Sequence, residues 1–164
     1  MTAWDQPALG GVYKLSALED SQGKMQETLK ISEQRIKMNQ PGVLQVRRFF
    51  NSRTQEFIGD MIFDDRDEKS LKLKMLDPLD ETRQKKFKSS QSYEDLLIRV
   101  VESGKVVCEQ EELLVPRQRL QDDLKRFHFG VLRFLYPHQY PVGIEVGVFE
   151  LKKKMILEKR GDSS

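Results

Sequence analysis

Short apolar runs, separated by polar residues that favour turns, occupy the first half of the sequence, and this alternation most limits the folds open to the chain. The runs lie at residues 12–15, 28–32, 43–50, 57–63 and 71–75. The first contains Val12, Tyr13 and Leu15, whose β-branched, aromatic and aliphatic side chains favour a strand. In the last run, apolar residues alternate with lysines, the pattern of a strand with one solvent-facing side. Short strands at regular spacing predict an antiparallel sheet.

Glycine, proline and polar clusters mark the turns between these runs. Residues 19–24 are polar and contain a glycine, so they predict a hairpin loop whose second strand is residues 28–32. Pro41 and Gly42 suit the two central positions of a type II turn. Residues 51–55 are again polar and predict a further reversal of the chain.

The middle of the sequence is less regular. Residues 77–92 are polar and charged and predict a long loop that no core holds firmly. Apolar residues 96–101 and 106–107 flank a polar stretch with a glycine at 102–105, the pattern of a second hairpin. Residues 93–101 are also compatible with a helix by periodicity, and we prefer the strand.

Helical periodicity replaces strand periodicity in the last third of the chain. Apolar residues recur there at steps of three and four, which places them on one helical face: Leu120, Leu124, Phe127, Val131 and Phe134 or Leu135. Pro116 suits the first turn of this helix. Residues 136–141 break it, and residues 144–159 predict a second helix with Val148 and Leu151 facing inward.

These patterns predict an α+β fold, with an antiparallel, β-rich first part and two C-terminal α-helices packed on it. We expect residues 1–115 to form the β-rich part and residues 116–160 the helical part of the same domain. Residues 161–164 are expected to be a disordered tail.

Size and composition fit one cytoplasmic domain. The chain has 164 residues, of which 38% are hydrophobic, enough to form a real core. Its 28 basic and 26 acidic residues give a formal net charge of +2, so neither nucleic acid nor a membrane is an expected partner. Cys108 is the single cysteine, which excludes an internal disulfide and suits a reducing cytosol. The sequence contains neither a membrane-spanning run nor a signal-type N-terminus.

Few residues are candidates for catalysis or metal binding. His128 and His138 stand ten positions apart without a carboxylate or cysteine at ligand spacing, so packing is the favoured interpretation. Residues 63–68 concentrate carboxylates but lack the alternating ligands and central glycine of a calcium loop, which favours a solvated loop. Cys108 has no evident histidine partner and is expected to act as a small buried apolar residue.

Two segments place cations beside aromatic residues, as single-stranded nucleic-acid binders do. They are residues 47–50 and 83–88. Acidic neighbours such as Glu94 and Asp95 and the balanced net charge argue against that function. The sequence also lacks the glycine-rich phosphate loops and the Gly-x-Ser-x-Gly nucleophile motif. The residues alone therefore indicate no catalytic, substrate-binding or metal site.

A resemblance to a known family extends along most of the chain. It rests on a series of segments in chain order. They are residues 6–15 (Gln-Pro-Ala-Leu-Gly-Gly-Val-Tyr-Lys-Leu), 29–33, Lys37 together with residues 41–42, 46–48, 59–60, 63–65, 104–107, the helix around Leu120 and Leu124, and 136–142. In order and spacing these segments resemble the C-terminal part of the long bacterial and animal type of nicotinate phosphoribosyltransferase. The likeness covers residues 1 to about 157.

The resemblance implies a dimeric enzyme that forms nicotinate mononucleotide and diphosphate from nicotinate and 5-phosphoribosyl 1-diphosphate in NAD salvage. ATP and Mg²⁺ serve the complete enzyme in that family, and this chain is expected to bind no cofactor. The family's catalytic histidine, nicotinate-binding arginine and tyrosine, and Gly-x-Gly-Thr phosphate loop all precede the segment that matches Met1. The resemblance therefore implies that the catalytic α/β barrel is absent from this chain and that the chain alone is inactive.

Three residues are expected near the catalytic site of the complete enzyme. The resemblance implies that residues 1–8 run out from the missing barrel, and that the turn with Gly10, Gly11 and Lys14 lies near the rim of its active site. The expected partners are the missing N-terminal and barrel domains. Two alternatives remain: an interaction module that assembles with or regulates an intact enzyme, and a nucleic-acid-binding α+β domain.

Overall fold

The computed structural model describes residues 13–34, 37–109 and 111–161. A short two-stranded hairpin is formed by β1 (Ala17–Glu19) and β2 (Met25–Glu27). The remaining elements follow in chain order: β3 (Leu44–Phe50), β4 (Phe57–Asp64), a 3₁₀ segment (Asp65–Ser70), β5 (Lys74–Leu76), β6 (Gln84–Lys86), β7 (Ser92–Asp95), β8 (Val101–Glu102), β9 (Lys105–Val106), α1 (Leu114–Lys125), β10 (Val142–Glu145) and α2 (Val146–Arg160).

A six-stranded sheet in the order β6-β5-β10-β4-β3-β7 forms the centre of the fold. Its longest pairing is antiparallel and joins β3 to β4, with Leu44 opposite Asp64 and Arg48 opposite Asp60. The predicted α+β class and the antiparallel pairing of the two longest strands are confirmed. One pairing differs, because β10 runs parallel to β4 while it is antiparallel to β5.

The core lies on the two sides of this sheet. One cluster contains Phe49, Met61, Met75 and Phe87, and the rings of Phe49 and Phe87 stack with centroids 3.8 Å apart. The second cluster joins the sheet to α2 and contains Leu76, Ile144, Val148 and Phe149. Neighbouring core residues such as Met75 and Leu76 of β5 therefore belong to different clusters, because successive side chains of a strand point to opposite faces.

The N-terminal hairpin differs from its prediction in the second strand. Residues 19–24 do form the loop, but the chain returns through β2 and not through residues 28–32. The Asn39 side chain explains the difference, since its amide donates to the carbonyls of Leu15 (3.0 Å) and Thr28 (2.9 Å) and its oxygen accepts from the Lys30 amide (2.9 Å). These bonds satisfy backbone groups that a longer ladder would have used. Val12 lies outside the described residues.

The predicted long loop at residues 77–92 is wrong in part. It contains β6, which pairs with β5, and the adjacent Phe87 is 8% exposed and belongs to the core. The sequence does not reveal this role, because the residues around Phe87 are charged. An edge strand can be fixed by one buried face, so its other residues can remain charged. The predicted hairpin around residues 102–105 is confirmed by β8 and β9.

The two helices differ in their contact with the sheet. Helix α2 buries Val148 against it, as predicted, and also Phe149, while the predicted Leu151 is only partly buried. The helix begins at Val146 because Ile144 belongs to β10. Helix α1 ends at Lys125, earlier than predicted, and none of its residues is buried. The expectation that both helices pack on the sheet therefore holds for α2 and not for α1.

Glu145 links the central strand to α2. It is 6% exposed, and its carboxylate accepts hydrogen bonds from the amides of Gly147 (2.6 Å) and Val148 (3.1 Å), so it caps the helix. We expect Glu145→Ala to lower the free energy of unfolding by about 1–2 kcal/mol, because two backbone amides lose their acceptor. Urea denaturation measures this loss. Glu150→Ala, on the exposed side of the same helix, is the control and should change stability by less than about 0.5 kcal/mol.

Candidate functional site

Of the three residues predicted near an active-site rim, Lys14 lies within the described part of the chain. Gly10 and Gly11 lie outside the described residues. The Lys14 ammonium donates to the backbone carbonyl of Lys37 and borders an open cleft formed with Leu15 and Leu29. Its role beside a ligand stays a prediction.

The most extensive polar site in the described chain is a buried cluster on β3 and β4. Arg48 forms a two-point ion pair with Asp60, with Nε to Oδ1 at 3.0 Å and Nη2 to Oδ2 at 2.8 Å. The two side chains are only 14% and 11% exposed. Tyr140 donates its hydroxyl proton to the same Oδ1 at 2.8 Å, which joins the segment before β10 to the sheet.

The electrostatics of this cluster hold each group in one protonation state. The hydrogen bond to Asp60 raises the pKa of Arg48 above its ordinary value. Burial, with the nearby negative charge of Asp60, raises the pKa of Tyr140 well above its ordinary value. The arginine therefore stays charged and the phenol stays protonated, so the cluster positions chain segments and offers no proton for catalysis.

Aromatic rings and a second arginine extend the cluster toward the end of α1. The guanidinium of Arg48 lies 4.4 Å from the ring centre of Phe57, and that of Arg126 lies 4.1 Å from the same ring. Phe127 packs edge-on against both Phe57 and Tyr140, with centroid distances of 5.0 and 4.9 Å. The backbone amide of Phe57 also donates to the carbonyl of Arg126 at 2.8 Å. Residues 126–140 are thus fixed to one side of the sheet at both ends.

The first basic and aromatic segment of the sequence is committed to contacts within the chain. Arg47 is 4% exposed and pairs with both carboxylate oxygens of Asp95 at 2.7 Å, and Arg48 is occupied by Asp60. Phe49, the aromatic residue beside them, is buried in the core. These groups offer neither phosphate contact nor a free ring for base stacking, which counts against the nucleic-acid alternative.

The second basic segment lines a cavity of about 500 Å³ between the β5–β6 edge and residues 139–143. Arg83 donates to the side chain of Gln139 at 2.5 Å, and the Lys85 ammonium donates to the Ile58 carbonyl at 2.7 Å. Burial lowers the pKa of Lys85. Strand β10 begins opposite Asp60, so it does not reach the Ile58 carbonyl, and Lys85 supplies the missing donor.

A third ionic group surrounds Asp64, within the carboxylate-rich segment at residues 63–68. Asp64 is 5% exposed and accepts from the Arg66 side chain at 2.9 and 2.5 Å, while Arg66 also reaches Glu27 of β2 at 2.7 Å. Burial acts to raise the pKa of Asp64, but the hydrogen bonds from Arg66 outweigh it and hold that pKa below its ordinary value. This aspartate therefore ties the hairpin to the sheet.

The Asp64 pair should make the protein sensitive to acid. Because the folded pKa lies below the unfolded value, the pair stabilises fully above the unfolded pKa and loses its effect as the pH falls through the folded one. We expect Asp64→Asn to cost about 2 kcal/mol at neutral pH and to flatten the decline of stability between about pH 5 and pH 2. Urea unfolding over that range measures both. Glu33→Gln, at an exposed carboxylate, should leave the decline unchanged.

The remaining candidates form no recognisable reactive site. The rings of His128 and His138 stack with centroids 5.9 Å apart, and Cys108 is a half-buried free thiol. Within the described ranges, no group of three or more histidine, cysteine, aspartate or glutamate side chains could hold a metal ion. Both histidines are exposed, and their ring contacts are with each other and, for His128, with Phe129.

Sequence reasoning missed the cluster of Arg48, Asp60 and Tyr140. Arg48 and Asp60 are 12 positions apart and meet only through the register of β3 and β4. The available signal was the presence of both an arginine and an aspartate inside otherwise apolar strands, since buried charges in proteins are normally paired.

A family model for the nicotinate phosphoribosyltransferase C-terminal domain matches residues 44–152. This chain belongs to that family. The nicotinate phosphoribosyltransferase of Bacillus subtilis (strain 168) is 34% identical over 160 residues, which make up 96% of this chain and 32% of that protein. The chain therefore spans about a third of the length of this relative.

Solved structures support the same fold. The crystal structure of human nicotinic acid phosphoribosyltransferase matches with a TM-score of 0.59 and 20% identity, over 72% of this chain and 24% of that one. The residues matched by the family begin at the first residue of β3 and end inside α2, so they include the whole six-stranded sheet. No helix in the described part of the chain is long and apolar enough to cross a membrane.

Proposed function

We propose that this chain is the C-terminal portion of a cytoplasmic nicotinate phosphoribosyltransferase. The complete enzyme would join nicotinate to 5-phosphoribosyl 1-diphosphate, with ATP hydrolysis and Mg²⁺, to give nicotinate mononucleotide and diphosphate for NAD salvage. The observation that carries this proposal is the match to the family's C-terminal domain across the whole sheet. The relative of 34% identity, of which the chain spans a third, supports the same assignment.

The role of this portion is structural in the proposal. Three buried polar groups of the described residues, Arg47, Arg48 and Asp64, are each paired with a partner within the chain and are not available to transfer a proton or a phosphoryl group. The portion would meet the N-terminal and barrel domains and contribute to a homodimer. Its turn with Gly10, Gly11 and Lys14 would lie near the rim of the active site.

A chimera tests this function directly. The last third of the Bacillus subtilis enzyme is replaced by this chain, and formation of nicotinate mononucleotide is compared with that of the same enzyme truncated before the replaced part. We expect the chimera to be at least tenfold more active than the truncated enzyme. A folded chimera with no more activity than the truncated protein would exclude the proposed function.

The chain by itself should be inactive. Incubated with nicotinate, 5-phosphoribosyl 1-diphosphate, ATP and Mg²⁺, it should form no more nicotinate mononucleotide than a reaction without protein, because the groups needed to stabilise transferred phosphate are expected elsewhere. Chromatography of the nucleotide product measures this. Product above that background would show that the chain carries a catalytic site of its own.

A further inference from the structure

Residues 96–136, which we call the arm, leave the sheet at its edge and return to its middle. The arm begins after the edge strand β7 and ends before β10, which lies between β5 and β4. It contains β8, β9 and α1. Among the described residues, no buried hydrophobic side chain lies between Phe87 and Ile144 in the sequence, so the arm meets the core only through partly buried side chains such as Phe127, which packs against Phe57.

The arm nevertheless carries many large apolar side chains, and they face solvent in the isolated chain. The most exposed are Phe134 (97%), Leu113 (89%), Tyr136 (89%), Val106 (74%), Phe129 (72%), Ile98 (71%), Leu135 (69%) and Leu114 (67%). Scattered exposed apolar residues are normal on a protein surface, but concentration in one segment of the chain marks an interaction surface.

The β8–β9 hairpin cannot be stable through its own contacts. Val101 pairs with Val106, and the next pair outward is joined by a hydrogen bond of 3.0 Å from the Val107 amide to the Val100 carbonyl. Successive pairs in a hairpin point to opposite faces, so both faces of this one present valines, each 47–74% exposed. An isolated two-stranded hairpin is marginal in water, and this one exposes valines on both faces, beside Glu102 and Lys105 on one of them.

Helix α1 likewise lacks the buried contacts that would stabilise it. It is 12 residues long and buries none of them, and no side chain caps its first turn. Leu120 and Leu124, on one face of it, are 59% and 41% exposed. Helices of this length are marginal in water without an apolar contact. Its ordered conformation therefore requires another surface.

The arm is held in place mainly through polar contacts with the sheet. The Leu96 amide donates to the Val46 carbonyl at 2.8 Å, and the Arg126 guanidinium donates to the Gln55 carbonyl at 3.0 Å. Asp123 lies 3.5 Å from Arg48. These contacts, together with the packing of Phe127 on Phe57, fix where the arm begins and where α1 ends. The most exposed apolar side chains of the arm take no part in them.

We propose that the arm is the docking surface for the remaining two-thirds of the nicotinate phosphoribosyltransferase polypeptide. The inference rests on the proposed function and specifies which surface of this chain meets the rest of the enzyme. The arm lies inside the span that the C-terminal domain family shares, while the relative from Bacillus subtilis contains about twice as much additional polypeptide as this chain supplies.

Hydrogen exchange and thiol labelling test the docking. The probe is the Bacillus subtilis enzyme truncated before the part that this chain matches. In the isolated chain, we expect amides of the arm to exchange at least a hundredfold faster than those of β3 and β4. Adding the truncated enzyme should protect the arm and slow labelling of Cys108, the single cysteine, which follows β9 by two residues.

Matched variants locate the contact. Val106→Glu and Val107→Glu place a charge on each face of the hairpin and should each weaken binding of the truncated enzyme at least tenfold. Leu79→Glu is the control, because Leu79 is 53% exposed, close to the 50% of Val107, and lies outside the arm. It should bind as the unchanged chain does. If the truncated enzyme does not fold alone, exchange in the chimera replaces this measurement, with a protected arm as the expected result.

Three outcomes would overturn the proposal. If amides of the arm exchanged as slowly as those of β3 in the isolated monomer, the arm would be stable without a binding partner. A dimer of the chain, seen by sedimentation and abolished by Val106→Glu, would make a second copy the occupant. An active chimera with an unprotected arm would refute the docking surface alone and leave the proposed function standing.

Discussion

Replacing Asp60 with asparagine is expected to lower the free energy of unfolding by about 3–5 kcal/mol. The change keeps the size of the side chain and removes its charge. Arg48 would then remain buried with a neutral partner, since its side chain is only 14% exposed. Its other carboxylate contact, Asp123, lies 3.5 Å away and is itself 32% exposed, so it replaces little of the lost interaction.

The large cost is due to the unpaired charge, and a second variant separates it from packing. In Arg48→Met with Asp60→Leu, both charges are absent and the apolar volume is kept, so we expect recovery of at least half of the loss. Tyr140 would still lose its acceptor, which accounts for an incomplete recovery. Urea denaturation of the two variants and the unchanged chain gives the comparison.

The matched control is an ion pair of the same type on the surface. Arg99 pairs with Glu102, and their side chains are 70% and 53% exposed. Glu102→Ala should therefore change stability by no more than about 0.5 kcal/mol. If Asp60→Asn proved as mild as this control, the cluster of Arg48, Asp60 and Tyr140 would not hold the sheet and the returning segment together.

The parts of the fold that depend on neighbouring residues could be predicted from the sequence. Strands β3 and β4 are apolar runs separated by a polar turn at residues 51–55, so their pairing needed no distant information. In that turn, the Asn51 side chain accepts from the amides of Arg53 (2.9 Å) and Thr54 (3.2 Å), a pattern typical of asparagine in turns.

Strand β10 could not be predicted because its residues continue without a break into α2. Val142–Glu145 forms the strand, and the next residue already belongs to the helix. The division depends on Glu145, which accepts from the first helical amides, and on the pairing of Ile144 with Ile62 and Leu76. Both partners are distant in sequence, so tertiary contacts outweigh the helical periodicity.

The cluster around Arg48 was unpredictable for a related reason. Its tyrosine is 80 residues away from Asp60, and no local pattern links the two. For helix α1 in the arm, the prediction of secondary structure was correct and the prediction of packing on the sheet was wrong. The apolar periodicity of Leu120 and Leu124 correctly indicated a helix, but periodicity does not specify whether the surface that covers the apolar face belongs to the same domain.

Replacing Gly42 with alanine should be nearly as damaging as the change at Asp60. Gly42 has φ of +110°, a positive value that side chains other than glycine rarely adopt. An added Cβ would also lie 2.3 Å from Oδ2 of Asp64, the buried carboxylate held by Arg66. Backbone strain of about 1–3 kcal/mol and overpacking of similar size predict a total loss of roughly 3 kcal/mol.

Gly104 provides the control that divides this loss into its two causes. It also has positive φ, +75°, but an added Cβ there would meet no atom within 4 Å. Gly104→Ala should therefore show the backbone cost alone, about 1 kcal/mol. The difference between the two variants in urea denaturation measures the contact with Asp64. Equal losses would mean that Asp64 moves aside freely, which contradicts its fixed position between Arg66 and the turn at Gly42.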